Sequence, residues 1–148
     1  MEGWQTEVLA ASGTEAAVAW HLSVLLPAYN EERAIRPVLA EIVEALSNDD
    51  IRYEILVVDD ASTDRTAEMA EQFAAACWQC PVRVIRCPER RGAGAARKVG
   101  IRQARGEIVL MLDADGSYPA SAIPELLRYF PAYDQVNGAR TSEQGSLP

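Results

Sequence analysis

Three short apolar runs, each cut off by a polar or acidic loop, constrain this chain more than any other feature. Leu22, Ser23, Val24, Leu25 and Leu26 are stopped by Pro27. Residues 53–58 run into Asp59-Asp60, and Gly106-Glu-Ile-Val-Leu-Met-Leu112 runs into Asp113-Ala-Asp115. Continuous runs of this length read as buried parallel strands. Between the first two, residues 32–46 carry Ile35, Leu39, Ile42, Val43 and Leu46 at helical spacing, with Asn30 as the expected cap and Pro37 marking a kink or a late start. Residues 63–77 place Thr66, Met69, Ala70, Phe73, Ala74 and Cys77 on one face of a second helix. Pro81 ends it and residues 82–85 form the next strand. A glycine-rich turn, Arg91-Gly-Ala-Gly94, opens a helix over residues 95–104, which Gly106 terminates. Pro119 and Ser121 start one more through Tyr129, and residues 134–137 suggest a short strand. Strands alternating with helices in this way predict an α/β fold, a mostly parallel sheet flanked by helices with right-handed crossovers.

In such a sheet, ligands bind outside the carboxyl ends of the strands. Those ends read Pro27-Ala-Tyr-Asn-Glu31, Asp59-Asp-Ala-Ser-Thr-Asp64 and Asp113-Ala-Asp115, and they are expected to line one crevice. Residues i and i+2 of an extended chain point the same way, so Asp113 and Asp115 can converge on one divalent cation, a natural partner for a diphosphate. Tyr29 offers an aromatic surface, Glu31 a carboxylate for a base or ribose, and Asp60 an acceptor for an imino N–H of a nucleobase. Taken singly each has a plainer reading: a packed aromatic, a helix start, an Asx-turn with Ser62 or Thr63 as a cap, a strand end with turn-forming aspartates. The shared position of all three motifs is what favours a site.

Composition narrows the class. With 148 residues, 49% of them hydrophobic, the chain can bury one core. A net charge of -8 argues against a nucleic-acid partner. Eight of the fourteen basic residues nevertheless fall between Arg83 and Arg105, a stripe that suits a phosphate ligand or a solvated helix face. Residues 1–20 lack the basic start of a secretory signal, and no run of about 18 apolar residues is present. The expected setting is therefore cytoplasmic. Cys77, Cys80 and Cys87 are an odd set, which predicts reduced thiols, and Cys77-Trp-Gln-Cys80 lacks the second ligand pair of a zinc site.

Ser23-Val-Leu-Leu-Pro-Ala-Tyr-Asn-Glu-Glu32, Glu54-Ile-Leu-Val-Val-Asp-Asp-Ala-Ser-Thr-Asp-Arg-Thr66, Arg91-Gly-Ala-Gly-Ala-Ala-Arg-Lys-Val-Gly100 and Asp113-Ala-Asp-Gly-Ser-Tyr-Pro119 together resemble family 2 glycosyltransferases of the GT-A fold. The branch they look like is that of dolichyl-phosphate mannose synthase and the bacterial polyprenyl-phosphate glycosyltransferases of the cell envelope. The resemblance covers about residues 22–140. It implies that Pro27, Tyr29, Glu31, Val58 and Asp60 surround the nucleotide of a GDP-sugar or UDP-sugar and that Arg91 approaches the diphosphate. It also implies that Asp113, Ala114 and Asp115 form the DxD motif holding Mg or Mn on the donor phosphates, and that Arg140 meets a phosphate of donor or acceptor. Asp115 and Arg140 are the catalytic candidates, because a metal and an arginine neutralise the leaving nucleoside diphosphate.

Two departures from the family pattern qualify this. Ser117 stands where the lipid-phosphate enzymes usually place a Gln as a further metal ligand, so a hydroxyl or water is expected there. The family also continues with an acceptor half beyond the region matched. The expected organisation is thus an N-terminal extension over residues 1–21 and a nucleotide-sugar-binding domain over 22–148, incomplete at its C-terminus. A polyprenyl phosphate acceptor at the inner face of a membrane is already an anion and needs positioning rather than a protein base. A hydroxyl acceptor would need a base, for which only Glu143 follows Arg140. Inverting transfer to the lipid phosphate is the preferred reading, with a homo-oligomer left open. The alternatives are a nucleotide-sugar-binding module without transfer activity and a phosphosugar nucleotidyltransferase. The latter would favour a glycine-rich loop after the first strand, where Pro27-Ala-Tyr-Asn30 stands instead.

Overall fold

The computed structural model describes residues 21–48, 50–130 and 132–138. Strands β1 (Leu22–Ala28), β2 (Tyr53–Asp59), β3 (Val82–Arg86) and β4 (Ile108–Met111) form one sheet in the order β3-β2-β1-β4, and every pairing is parallel. Helices α1 (Ile35–Leu46), α2 (Thr66–Ala76) and α3 (Ala93–Gln103) make the crossovers; a 3-10 turn (Ala120–Ala122) leads into the short helix α4 (Ile123–Leu127). The α/β sheet expected from the apolar runs is therefore the observed architecture.

The two faces of the sheet are covered unequally. Leu22, Val24, Leu26, Ile55 and Val57 pack under α1, α2 and α4 with Ile35, Leu39, Ile42, Ala70, Ile123 and Leu127. On the opposite face Leu25, Leu56 and Val58 meet α3 through Ala96 and Val99. Because both faces of β1 and β2 are buried, their side chains are apolar at nearly every position, which is why the runs do not alternate. Gly100 allows α3 its close approach: a Cβ there would lie 2.0 Å from Leu25 Cδ1.

A buried carboxylate joins all four strand segments near their amino ends. Glu54 of β2 is almost fully buried. Its Oε1 accepts from the Ser23 hydroxyl of β1 at 2.7 Å and from the Arg105 amide ahead of β4 at 2.8 Å. Its Oε2 accepts from Arg83 Nε of β3 at 3.1 Å. Ser23 Oγ in turn accepts from the Gly106 amide at 2.8 Å.

Several sequence expectations are revised. Helix α1 starts at Ile35, so Pro37 sits in its first turn, where an N–H has no helical partner to lose. Its N-cap is Ala34, not Asn30. Helix α2 starts at Thr66 rather than residue 63, with neither Ser62 nor Thr63 as its cap. The run ending at Asp113 is only half-buried, because β4 is an edge strand, and the strand stops at Met111. Residues 134–137 are irregular, with no strand partner among the described residues. Cys77 and Cys80 are joined in a disulfide with Cα atoms 5.2 Å apart instead of carrying two reduced thiols. Cys87 is a thiol whose pKa is pushed up by burial and by nearby Asp60 and Asp59. The basic stripe is not one face: Arg83 pairs with Glu54, Arg86 with Glu71, Arg91 with Glu89 and Arg97 with Asp113.

Gly106 tests the junction before β4. A Cβ at this position would lie 2.5 Å from the Ser23 amide nitrogen and 2.6 Å from the Leu22 carbonyl carbon, both backbone atoms that cannot swing aside. Gly106→Ala is expected to cost about 2 kcal/mol or more, as overpacking does, measured by urea denaturation. A stability equal to the parent's would contradict the close approach.

Candidate functional site

Pro27 opens the crevice. The Leu112 amide donates to the Leu25 carbonyl, and the Asp60 amide donates to the Ala28 carbonyl. Backbone groups alternate sides along a strand, so those of Leu25 and Pro27 face β4 and that of Ala28 faces β2. Pro27 has no N–H to continue the ladder toward β4. The β1–β2 register accordingly runs on to Ala28 and Asp59, whereas the β1–β4 register ends at Leu25 and Met111. Beyond that point β4 parts from the sheet, and the residues that follow all three strands surround the gap.

The loops after β1 and β2 are laced together. The Asn30 amide donates to Ser62 Oγ at 2.9 Å, and Asn30 Oδ1 accepts from the Thr63 amide at 2.9 Å. The Glu31 amide donates to Thr66 Oγ1 at 2.8 Å, and Asp64 Oδ1 accepts from the Thr66 amide at 2.9 Å. Asn30 and Ala61 hold the left-handed φ values of 51° and 56° that these turns require. An asparagine adopts that conformation readily; an alanine does so only when its surroundings enforce it. Asn30 therefore serves as a brace between loops, a role its position before a helical pattern concealed.

Asp59 and Asp60 close β2 and are both buried. Asp59 Oδ2 accepts from the Ser62 amide, as the expected Asx-turn requires, while its Oδ1 has no hydrogen-bond partner among the described residues. The two oxygens of Asp60 accept from the Arg91 amide at 2.9 Å and the Gly92 amide at 2.8 Å. Gly92, at φ 94°, turns the chain into α3 at that point. Asp60 thus holds the glycine-rich loop beside the crevice. The Arg91 side chain is ion-paired with Glu89, and the neighbouring Arg90 lies over Tyr29, its Cζ 3.7 Å from the ring centroid.

On the β4 side the Asp pair occupies a turn rather than an extended strand. Ala114 is buried between its neighbours. Asp113 pairs with Arg97 of α3 at 3.4 Å, Asp115 Oδ1 accepts from the Ser117 amide at 2.8 Å, and Gly116 takes φ 78°. Burial raises the pKa of Glu31 first, and the negative charges of Asp115, Asp64 and Asp113 raise it further, so four carboxylates share one region of the crevice. No group of three His, Cys, Asp or Glu side chains among the described residues is arranged to hold a metal. Two carboxylates are what a Mg-type site needs when substrate phosphates and water complete the hard-oxygen shell. Asp113 and Asp115 fit that requirement.

The remaining candidates are placed as follows. Tyr29 and Glu31 follow β1, Asp60 follows β2, and the Asp pair with Ser117 follows β4 on the same sheet edge, where the charges of Asp113 and Asp115 act on Glu31. Val58 is fully buried, its side chain in the layer under α3. Arg140 lies outside the described residues. Sequence reasoning passed over Arg90, Arg97 and Asp64. The clustering of basic residues was their signal, but only the fold separates those facing the crevice from those that pair with Glu54 or Glu71. A groove of about 460 Å³ follows the free edge of β4 and reaches the site through Arg97, Asp113 and Tyr118.

Comparison with known proteins agrees with this geometry. The profile described as Glycosyl transferase family 2 matches residues 23–147. A dolichyl-phosphate beta-glucosyltransferase of Trichomonas vaginalis is 35% identical over 122 residues, which cover 79% of this chain and 36% of that protein. A dolichol-phosphate mannosyltransferase of Pyrococcus furiosus is 37% identical over 106 residues, covering 72% and 29%. Among solved structures, a mannosyltransferase from Pyrobaculum calidifontis in complex with GDP-Man and Mn2+ superposes with a TM-score of 0.61 at 33% identity, covering 72% of this chain and 30% of that one. The chain spans about a third of the length of these relatives.

The crowding of carboxylates has a measurable consequence. Because the pKa of Glu31 is raised on folding, the folded chain holds that proton more tightly than the unfolded one. Stability therefore falls as pH rises through the folded pKa. Glu31→Gln is expected to stabilise the fold at pH 7 in EDTA by less than about 1 kcal/mol, because solvent screens the charges, read as a raised melting temperature. The gain should vanish below about pH 4, where the acid is neutral in both states. A variant less stable than the parent at pH 7 would refute this account of the cluster.

Proposed function

Because this chain belongs to the family 2 glycosyltransferases, we propose that it forms the donor-binding part of a metal-dependent, inverting glycosyltransferase that moves a sugar from a nucleoside diphosphate to a polyprenyl or dolichyl phosphate. The observation that carries this reading is that Tyr29 and Glu31 after β1, Asp60 after β2 and the Asp113–Asp115 turn after β4 all stand at the carboxyl edge of one parallel sheet, with the charges of Asp113 and Asp115 acting on Glu31. Aromatic surface, a buried acceptor and paired carboxylates in one crevice match the three parts of a nucleotide sugar: base, ribose and diphosphate.

In this reading the base stacks on Tyr29 and is bordered by Pro27, with Asp60 beneath it. Both oxygens of Asp60 already accept backbone N–H groups, yet each retains a lone pair that can accept from a base. Val58 supports this floor from below. Glu31 faces the ribose. Asp113 and Asp115 hold Mg or Mn, assisted by Ser117, and Arg91 and Arg140 turn toward phosphate. When bound, the metal supplies positive charge against the diphosphate leaving group. Arg97 does related work through the chain itself, since its pairing with Asp113 fixes that carboxylate at the crevice mouth.

The acceptor follows from the relatives, which are named for dolichyl and dolichol phosphate. Such an acceptor attacks as an anion, so the site is required to orient two phosphates rather than to remove a proton. The protein is expected to work at the inner face of a membrane, as a peripheral protein and with a homo-oligomer open to it. No helix among the described residues is long and apolar enough to cross a bilayer. Radiolabelled GDP-mannose and UDP-glucose, offered with a short polyprenyl phosphate and with a hydroxyl acceptor, test the assignment. Label is expected in the lipid phosphate, and label in the hydroxyl acceptor alone would overturn the proposed acceptor.

Metal dependence is tested separately. Asp115→Asn should weaken binding of a nucleoside diphosphate roughly tenfold in Mn, the scale of losing one charge-assisted contact, and change little in EDTA. Titration calorimetry reads both, and equal affinity of variant and parent in Mn would remove Asp115 from the metal site.

A further inference from the structure

We propose that Arg90 couples base binding to phosphate binding: its guanidinium covers the face of Tyr29 that a nucleobase would use, and an incoming diphosphate draws it away. The inference rests on the proposed stacking of the donor base on Tyr29, and it adds selection for phosphorylated nucleotides over free nucleosides.

The arrangement is specific in three respects. First, Arg90 Cζ lies 3.7 Å from the Tyr29 ring centroid, the separation of a direct stack, so a base and this guanidinium cannot share that face. Second, Arg83, Arg86, Arg91 and Arg97 are each ion-paired with a carboxylate, whereas among the described residues Arg90 has none. Its charge is held by a ring face alone. Third, its backbone is fixed while its side chain is exposed: the next two amides, of Arg91 and Gly92, are bound by buried Asp60. Arg90 therefore pivots from a fixed point beside both the base surface and the glycine-rich loop that leads into α3.

The physical chemistry sets the direction of exchange. A cation on an exposed aromatic face is weakly held, whereas an arginine on phosphate oxygens makes short, charge-assisted and often bidentate hydrogen bonds. A nucleoside diphosphate offers those oxygens and frees the ring as it binds. A nucleoside offers nothing in return and must compete with the guanidinium for Tyr29.

The test is a pair of titrations whose changes have opposite sign. Uridine, guanosine, UDP and GDP are titrated in one Mn-containing buffer against the parent chain and against Arg90→Ala. The nucleosides should bind the variant about two- to fivefold more tightly, since their competitor is gone. The diphosphates should bind it about tenfold more weakly. If both ligand classes weaken, Arg90 clamps the base or supports the loop, and the proposal is overturned. It is equally overturned if neither changes. Failure of the parent chain to bind any of the four would instead bring down the donor-site reading itself, and this inference with it.

Discussion

The fold is organised around one buried charge. Glu54 sits on β2 at the middle of the sheet and takes a hydroxyl from β1, a guanidinium from β3 and an amide from the segment entering β4. A carboxylate removed from water is tolerated only where such partners are in place, and deleting one leaves the rest uncompensated. Apolar pairing alone would let neighbouring strands slide by two residues and keep their faces. The Glu54 contacts distinguish the correct register from that slip, because only one alignment brings Ser23, Arg83 and Arg105 to the same carboxylate. This places the strands' far ends, and hence the crevice, at defined heights relative to one another.

The crevice is built by withdrawing interactions at the opposite end. Pro27 ends the β1–β4 ladder while the β1–β2 ladder continues, so the Asp113–Asp115 turn stands apart from the Asn30–Thr63 loops. The two walls are held differently. The wall after β1 and β2 is stitched by side-chain hydrogen bonds to backbone amides and anchored by Asp60. The wall after β4 carries Asp113 and Asp115, attached through Arg97 and the turn around Gly116. The carboxylate whose pKa is raised, Glu31, stands on the first wall and faces the charges of Asp113 and Asp115 on the second, so the two walls are coupled electrostatically across the gap.

Much of this was legible in the sequence, and the misses have particular causes. β1 and β2 could be read because burial on both faces leaves few polar interruptions, and the edge strands β3 and β4 because short apolar runs between helical patterns mark them. The family could be read because its motifs follow each strand in order. Asn30 and Glu31 resemble a cap and first turn, which places the expected start of α1 before Ile35, yet their polar atoms serve a loop 32 residues or more away, which no local pattern reveals. Apolar continuity carries the last run through Leu112, although the β1–β4 register ends at Leu25 and Met111, where Pro27 offers no further N–H. Composition alone suggests a short strand at residues 134–137, and among the described residues no strand pairs with them. The odd cysteine count predicts reduced thiols, whereas the turn after α2 brings Cys77 and Cys80 together in a disulfide, a closeness that spacing alone does not reveal. Arg90 was indistinguishable from its basic neighbours until the fold set it over Tyr29.

The order of strands also governs how the molecule comes into being. β1 lies between β2 and β4, so its two edges are satisfied at different times: one by a partner that follows closely in the chain, the other by residues 108–111. On a ribosome adding about 5–20 residues per second, several seconds separate the exit of β1 from that of β4. During that interval a strand with Leu22, Val24, Leu25 and Leu26 exposes an open edge, the kind of surface that recruits other chains. The same placement that puts Pro27 beside the crevice leaves the β4-facing edge of β1 open until the last strand of the sheet arrives, since β2 covers only the other edge.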